Sequence, residues 1–280
     1  MIKAYLEVLK PRESFLLTFI GATSAILAAQ GSPELPRLLF ATLAILLASA
    51  GANGLTNYLD RNVDALMERT KHRALPSGKI RPPEKVLPLI SILIIIGLVL
   101  SWYLHPLVFL VDLIGSIVAA TWRKKVTCVF PQGVIASWAP LLMGWFSINP
   151  TFSWEVGLLC LLILFWLPLH VWSVMVSNRQ DYLNAKITYF PVCWEERRSV
   201  KVFPLFGVCL YLTSIALYFI AGFGLLYLVA ANLLGLLMLY GSLKLVFSAT
   251  SRDAWRLYKL SAFPYLGLLF LAMLLDTWLL

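Results

Sequence analysis

Charge is scarce in this chain: only 13% of its 280 residues are Asp, Glu, Lys or Arg, while 60% are apolar. That balance excludes a soluble globular domain. It leaves an integral membrane protein built of helices, because long uninterrupted apolar runs outnumber any alternating pattern. Acids are scarcer than bases, 14 against 23, for a net charge of +9. The excess does not describe a nucleic-acid binder, since the bases lie in short loops between apolar runs, where topology requires them; the expected partner is the lipid bilayer. The four cysteines, Cys128, Cys160, Cys193 and Cys209, lie far apart. They lack the spacing of a metal site or a disulfide framework, and are expected to be small apolar packing residues. Low-complexity segments are missing as well. No small-residue cleavage site follows the first apolar run, so no cleavable signal peptide is expected. Residues 1–280 read as a single domain.

What is present is a regular series of hydrophobic runs. Nine spans are expected, at roughly 14–30, 37–57, 86–104, 106–121, 130–147, 154–177, 202–220, 223–246 and 260–279. If they simply alternate, one side holds Lys3, Lys10, Arg12, residues 61–85, Arg123-Lys124-Lys125, residues 179–201 and Lys244 to Lys259. Only Arg37 falls on the other side, so 22 of the 23 bases segregate. The positive-inside rule then predicts a cytoplasmic amino terminus, cytoplasmic long connections and an outside carboxyl terminus. Trp102, Tyr103 and Trp154 at outer ends, and Trp122 at an inner one, suit interface anchoring. Asp112 lies deep in the fourth span, where an ionised carboxylate is expensive, and sequence identifies no partner for it.

The most informative stretch is Asn57-Tyr58-Leu59-Asp60-Arg61-Asn62-Val63-Asp64. Helical spacing puts Asn57, Asp60 and Asp64 on one face where membrane meets water, and Asn53 extends the row. Hard oxygen ligands in such a row suit a divalent cation, and magnesium takes one or two carboxylates, with water and substrate phosphates completing its shell. Arg69, Lys71, Arg73 and Lys79 follow and suit a polyanion on that metal. The residues alone therefore point to a membrane enzyme acting on a diphosphate. A fainter echo, Asn178-x-x-Asp181, ends the sixth span at the equivalent depth, with Ala185 where Asp64 would recur.

The run NYLDRNVDALMERTKHRALPSGKI resembles the first aspartate motif of the UbiA-type intramembrane prenyltransferases, and within them the heme O synthase branch. Asn57, Asp60, Arg61, Asp64, Met67, Arg69, Thr70 and Arg73 carry the likeness. The stretch from His170 through Asp181-Tyr182-x-x-Ala185 to Pro191 is similar to the second motif, and Lys10-Pro11-Arg12 and Lys124 to Pro140 look like the family too. Departures fall at Asn62, which lies off the acidic face, and at Leu169 and Thr188, which bear on the acceptor. The resemblance implies an all-α integral membrane protein, a nine-transmembrane-helix UbiA-like bundle with a cytoplasm-facing active site. It implies Mg2+-dependent transfer of a farnesyl group from farnesyl diphosphate to a vinyl group of heme b. By the same resemblance Asp60, Asp64 and Asp181, with Asn57, hold the metal, while Arg69, Arg73, Lys124, Arg179 and Arg12 bind the diphosphate. His170, Asn53 and Tyr182 face the heme acceptor, and heme-modifying or oxidase-assembly proteins are implied partners.

Other readings stay open at this point. A different UbiA-type enzyme would use an aromatic, quinone-precursor or glyceryl-phosphate acceptor. A transporter would gather its polar groups near the bilayer midplane, whereas here only Asp112 and His170 are deep. Plain interface charge would pair Asp60 and Asp64 with Arg61 and Lys71 along a helix.

Overall fold

The structure, a computed structural model, describes residues 2–121, 124 and 128–279. Trp122, Arg123 and Lys125, singled out above, lie outside the described residues. Among the described residues every regular element is helical, as expected where lipid offers the backbone no hydrogen-bond partner. Each of the nine expected runs carries a helix, and six segments are long and apolar enough to cross a membrane: Leu35–Asp64, Pro83–Leu104, Trp154–Ser177, Glu196–Ala221, Leu225–Ser248 and Ser251–Leu279. Large apolar side chains such as Ile95, Val99, Leu212, Phe219, Leu233 and Phe247 are exposed on these helices, the reverse of a soluble surface.

The chain divides into two compact units, Met1–Thr151 with Asn184–Lys186, and Phe152–Leu183 with Ile187–Leu280. In the first, α1 (Ile2–Val8), α2 (Pro11–Ala28), α3 (Leu35–Asp64), α4 (Leu87–Leu104), α5 (Pro106–Thr121) and α6 (Gln132–Ile148) follow in order. The long α3 packs against α2, α4, α5 and α6, and α2 also packs against α6. The α2–α6 approach is backbone to backbone. A Cβ on Gly144 would lie 1.9 Å from the Gly21 carbonyl oxygen, and one on Gly21 would lie 2.5 Å from that of Pro140. Small residues permit this closeness between membrane helices, where packing rather than water drives association. Asp112 of α5 is 3% exposed and finds its partners locally. Ser101 of α4 donates to one carboxyl oxygen at 2.9 Å, and Ser116 reaches the other at 3.5 Å.

The second unit holds α7 (Trp154–Ser177), all but the last residue of α8 (Arg179–Asn184), α9 (Glu196–Ser199), α10 (Phe203–Ala221), α11 (Leu225–Ser248), α12 (Ser251–Leu260) and α13 (Leu268–Leu279). Helix α7 packs on α10 and α12, and α11 on α10, α12 and α13. Asp276 of α13 accepts from the Gly224 and Tyr227 backbone N–H groups, a carboxylate satisfying the start of α11 where the helix dipole favours it. Trp172 packs edge-on against Phe190, Phe203 and Phe206. Between α12 and α13 the chain makes a π turn, Ser261–Gly267, around Pro264, whose missing N–H and bulky ring interrupt an α-helix. Of the cysteines, Cys160 is buried, as expected of a packing residue, and Cys128 and Cys209 are half-buried; Cys193 departs, being exposed in the connection before α9.

Gly144→Ala is expected to lower stability by about 1–3 kcal/mol through overpacking, seen as a lower thermal midpoint in detergent. Gly157→Ala, whose near neighbour is the exposed Phe152 ring, should leave that midpoint close to wild type.

Candidate functional site

Helix α3 runs on to Asp64, past the expected span end at residue 57. Asn53, Asn57, Asp60 and Asp64 therefore sit on one continuous helix at the spacing that aligns them. The two carboxamides anchor its neighbours: Asn57 donates to the Val8 carbonyl at 2.6 Å, and Asn53 donates to Ser14 Oγ at 3.0 Å. Asp60 is half-buried, and Asp64 is 1% exposed.

The chain after Asp64 folds back over it. Thr70 Oγ1 donates to the Asp64 carbonyl at 2.9 Å, capping the helix end. One turn later Arg73 places its guanidinium 3.0 Å from Asp64 Oδ2. Lys124 donates to Oδ1 of the same carboxylate. Two further contacts fix the loop. Glu7 of α1 accepts from the Ala74 backbone N–H at 3.0 Å and lies 3.5 Å from Lys79 Nζ. Ala74, Leu75 and Ile80 pack with Val8, Val86 and Ile90 in a small apolar core. A buried carboxylate is costly unless paired and hydrogen-bonded, and here both oxygens of Asp64 meet cations.

A third cation stands at the same place. Lys10, between α1 and α2, has φ 48° and ψ 66°, a left-handed conformation that costs a residue with a Cβ about 1 kcal/mol or more. Burial, followed by the nearby charges of Arg73 and Lys124, pushes the Lys10 ammonium down to about 8 from its ordinary 10.5, against the opposing pull of Glu13 and Asp64. Three cations thus crowd one carboxylate. A crevice of about 10 Å³ lies among Glu7, Asn57, Asp64 and Arg73, room for about one water.

The other expected residues lie as follows. Arg69 is half-buried in the loop, and Arg12 is exposed at the start of α2. Arg61 stacks over the Tyr58 ring at 4.2 Å and lies 3.9 Å from Glu84, while Lys71 pairs with Glu68 at 2.7 Å. The charge partners of Asp64 are thus the more distant Arg73 and Lys124, not Arg61 and Lys71. In the second unit, Asp181 is half-buried and Tyr182 buried on α8. Arg179 is committed to backbone, donating to the Val192 carbonyl at 3.0 Å and the Trp194 carbonyl at 3.4 Å. His170 of α7 stacks on Trp166 at 4.8 Å and meets Ser261 Oγ through Nδ1 at 3.0 Å. Among the described residues no three of His, Cys, Asp and Glu converge to hold a metal. The hard-oxygen donors on the acidic face of α3 still fit magnesium, which needs only one or two carboxylates when a diphosphate supplies oxygens.

The sequence named Lys10 only among the segregated bases and within the Lys10-Pro11-Arg12 likeness, with no place beside Asp64, and it did not single out Glu7. Nor was the left-handed backbone of Lys10 legible, since a residue before proline ordinarily adopts extended geometry. Nothing in the sequence marks Glu7, because its partners lie 67 and 72 residues away.

A model of the UbiA prenyltransferase family matches residues 15–274. The chain belongs to the UbiA prenyltransferase family. It is a multi-pass membrane enzyme of that family. A protoheme IX farnesyltransferase of Desulforudis audaxviator (strain MP104C) is 36% identical over 284 residues, covering 99% of this chain and 89% of the relative. A solved structure of digeranylgeranylglyceryl phosphate synthase matches with a TM-score of 0.80 at 19% identity, covering 100% of this chain and 99% of the other. A UbiA homolog from Archaeoglobus fulgidus bound to DMAPP and Mg2+ matches with a TM-score of 0.68 at 15% identity, covering 99% of each chain. These two structures share the helical fold with this chain.

Asp64→Asn should destabilise the protein by about 3 kcal/mol, because it strands buried cations without their counter-charge. Adding Lys124→Met to that variant should recover part of the loss. Thermal midpoints of both variants against wild type measure this coupling.

Proposed function

We propose that this enzyme transfers the farnesyl group of farnesyl diphosphate to a vinyl group of heme b, giving heme O and diphosphate. The observation that carries the reaction type is the Asp64 carboxylate set among Lys10, Arg73 and Lys124 at the end of a membrane-length helix. The acceptor rests on the full-length similarity to a protoheme IX farnesyltransferase together with the M-x-R-T-x-x-R motif. In this reading residues 1–280 act as one domain of nine crossings. The amino terminus and the catalytic loops are cytoplasmic, and the carboxyl terminus is outside.

Asp60 and Asp64 are the metal carboxylates of α3, with the Asn57 amide oxygen beside them. Asp181 is assigned a metal-ligand role by its motif. Magnesium, when bound, neutralises diphosphate charge and favours departure of the leaving group. The allylic C–O bond breaks with both electrons leaving on the diphosphate. Arg73, Lys124 and Lys10, the cations grouped around Asp64, are placed to stabilise charge on those phosphate oxygens as it develops. Arg69 is assigned to the same anion by the motif, and Arg12 and Arg179 by the wider family resemblance; Arg179 takes that role only on release from the Val192 and Trp194 carbonyls. The farnesyl carbocation bonds to the terminal carbon of the vinyl group, water adds at the adjacent carbon, and one proton is released. Heme b is held by its acceptor-facing residues, His170, Tyr182 and Asn53.

Membranes containing the chain, supplied with heme b, farnesyl diphosphate and Mg2+, should yield heme O by mass spectrometry, and the Asp60→Ala and Asp64→Ala variants should yield none. Diphosphate release with an aromatic, quinone-precursor or glyceryl-phosphate acceptor, and none with heme b, would reassign the acceptor. Lys124→Met should lower turnover by about 10²-fold.

A pH effect follows from Lys10. Its charge is present below about pH 8 and is lost above it, so the KM for farnesyl diphosphate should rise as pH passes 8. A bound anion favours the charged form and moves that rise upward. Lys10→Arg, charged throughout, should flatten the profile. Folding has the opposite sign: below about pH 8 the native state carries a disfavoured ammonium, and this penalty is relieved between about 8 and 10.5.

A further inference from the structure

The π turn at Ser261 is attached to α7 by a set of bonds that the reaction described above does not use. Pro264 has no N–H to offer the Leu260 carbonyl, and Ala262 leaves helical geometry at φ −70° and ψ −130°. The turn brings Ser261, fully buried, against Trp166 and His170. Its carbonyl accepts from the Trp166 indole N–H at 2.5 Å, and its hydroxyl donates to the Tyr258 carbonyl at 2.8 Å. His170 Nδ1 stands 3.0 Å from that same hydroxyl oxygen. The imidazole also stacks on Trp166, with ring centroids 4.8 Å apart and planes 16° apart, and meets Tyr258 at 4.8 Å.

The direction of the His170 bond follows from the donor inventory. A carbonyl only accepts, so the single Ser261 hydroxyl proton is committed to Tyr258. The hydroxyl oxygen is then the acceptor, and the proton between it and the imidazole belongs to Nδ1. We propose that Ser261 is a positioning residue that holds His170 as the Nδ1-protonated tautomer and leaves Nε2 as a bare lone pair for the acceptor. Metal-binding histidines recurrently donate their second N–H to a fixed acceptor, which sets the tautomer and raises ligand basicity. Here a serine hydroxyl on a π turn, an element frequent at functional sites, supplies that acceptor. Resting on the heme b reading, this gives Nε2 the role of axial ligand to the iron of the bound acceptor.

The chain has three histidines, His72, His105 and His170, so 15N-histidine labelling of the full-length protein gives a spectrum simple enough to assign with His170→Gln. Wild-type protein should show a protonated Nδ1 and an unprotonated Nε2 for His170. Ser261→Ala should convert this to a mixture of tautomers, and Ser261→Thr, which keeps the hydroxyl, should restore it. Titration with heme b should give a histidine-ligated Soret band that is absent in His170→Gln. In Ser261→Ala its affinity should be lower by about 10-fold or more. A proton on Nε2 in the wild type, or nitrogen shifts unchanged by Ser261→Ala, would overturn the tautomer assignment, and the wild-type spectrum decides this even where a variant fails to fold. Heme b bound equally well by His170→Gln would overturn the ligand role. A wild type with the Nδ1 proton in place that binds no heme b would overturn the heme reading and the ligand role together, while leaving the tautomer lock standing.

Discussion

In hydrocarbon a backbone N–H or C=O has no solvent to fall back on, and this constraint shapes the departures from regular helix as much as the helices themselves. The long apolar runs meet it by staying helical. Where Pro264 breaks the pattern, an indole N–H from α7 bonds the Ser261 carbonyl, so the turn is tied to side chains of another helix. The start of α11 meets the same constraint with the Asp276 carboxylate. Asp112 inverts the problem, bringing a polar side chain into an apolar unit, where serine hydroxyls of α4 and α5 answer it. The two deep carboxylates, Asp112 and Asp276, are each held by named donors.

The Asp64 cluster follows a different logic. Its cations come from three separate stretches of chain, the α1–α2 junction, the loop after α3 and the segment after α5. Mutual repulsion among Lys10, Arg73 and Lys124 is tolerated because one carboxylate is shared, and because the loop is pinned by Glu7, Thr70 and an apolar core. A cluster that gathers three cations around a single acid carries a positive excess, which suits a ligand with more negative charge than that acid.

Much of this was legible in the sequence, and the boundary is physical. Hydrophobic length and the segregation of basic residues depend on local composition, so the nine runs and their helices could be read directly. The alignment of Asn57, Asp60 and Asp64 could be read as well, because it needs only that α3 stay helical as far as Asp64. The motif brought Arg73 and Lys124 to the same chemistry. Left unread were contacts set by tertiary folding: the clasp of Glu7, the left-handed Lys10 and the hydroxyl partners of Asp112. Cys193 was misread for the complementary reason. Cysteine is commonly buried, but this one falls in a connection, where burial is set by the loop's path.

The Glu7 clasp makes the short helix α1 part of the loop that follows Asp64 in all but sequence. Its carboxylate spans a backbone amide and an ammonium in a segment 67 residues or more downstream. A fusion tag, a start-site change or a charge placed on α1 is therefore not a peripheral alteration. It acts on the anchorage of the strand of chain that carries Arg73, and the amino terminus serves as a handle on the site.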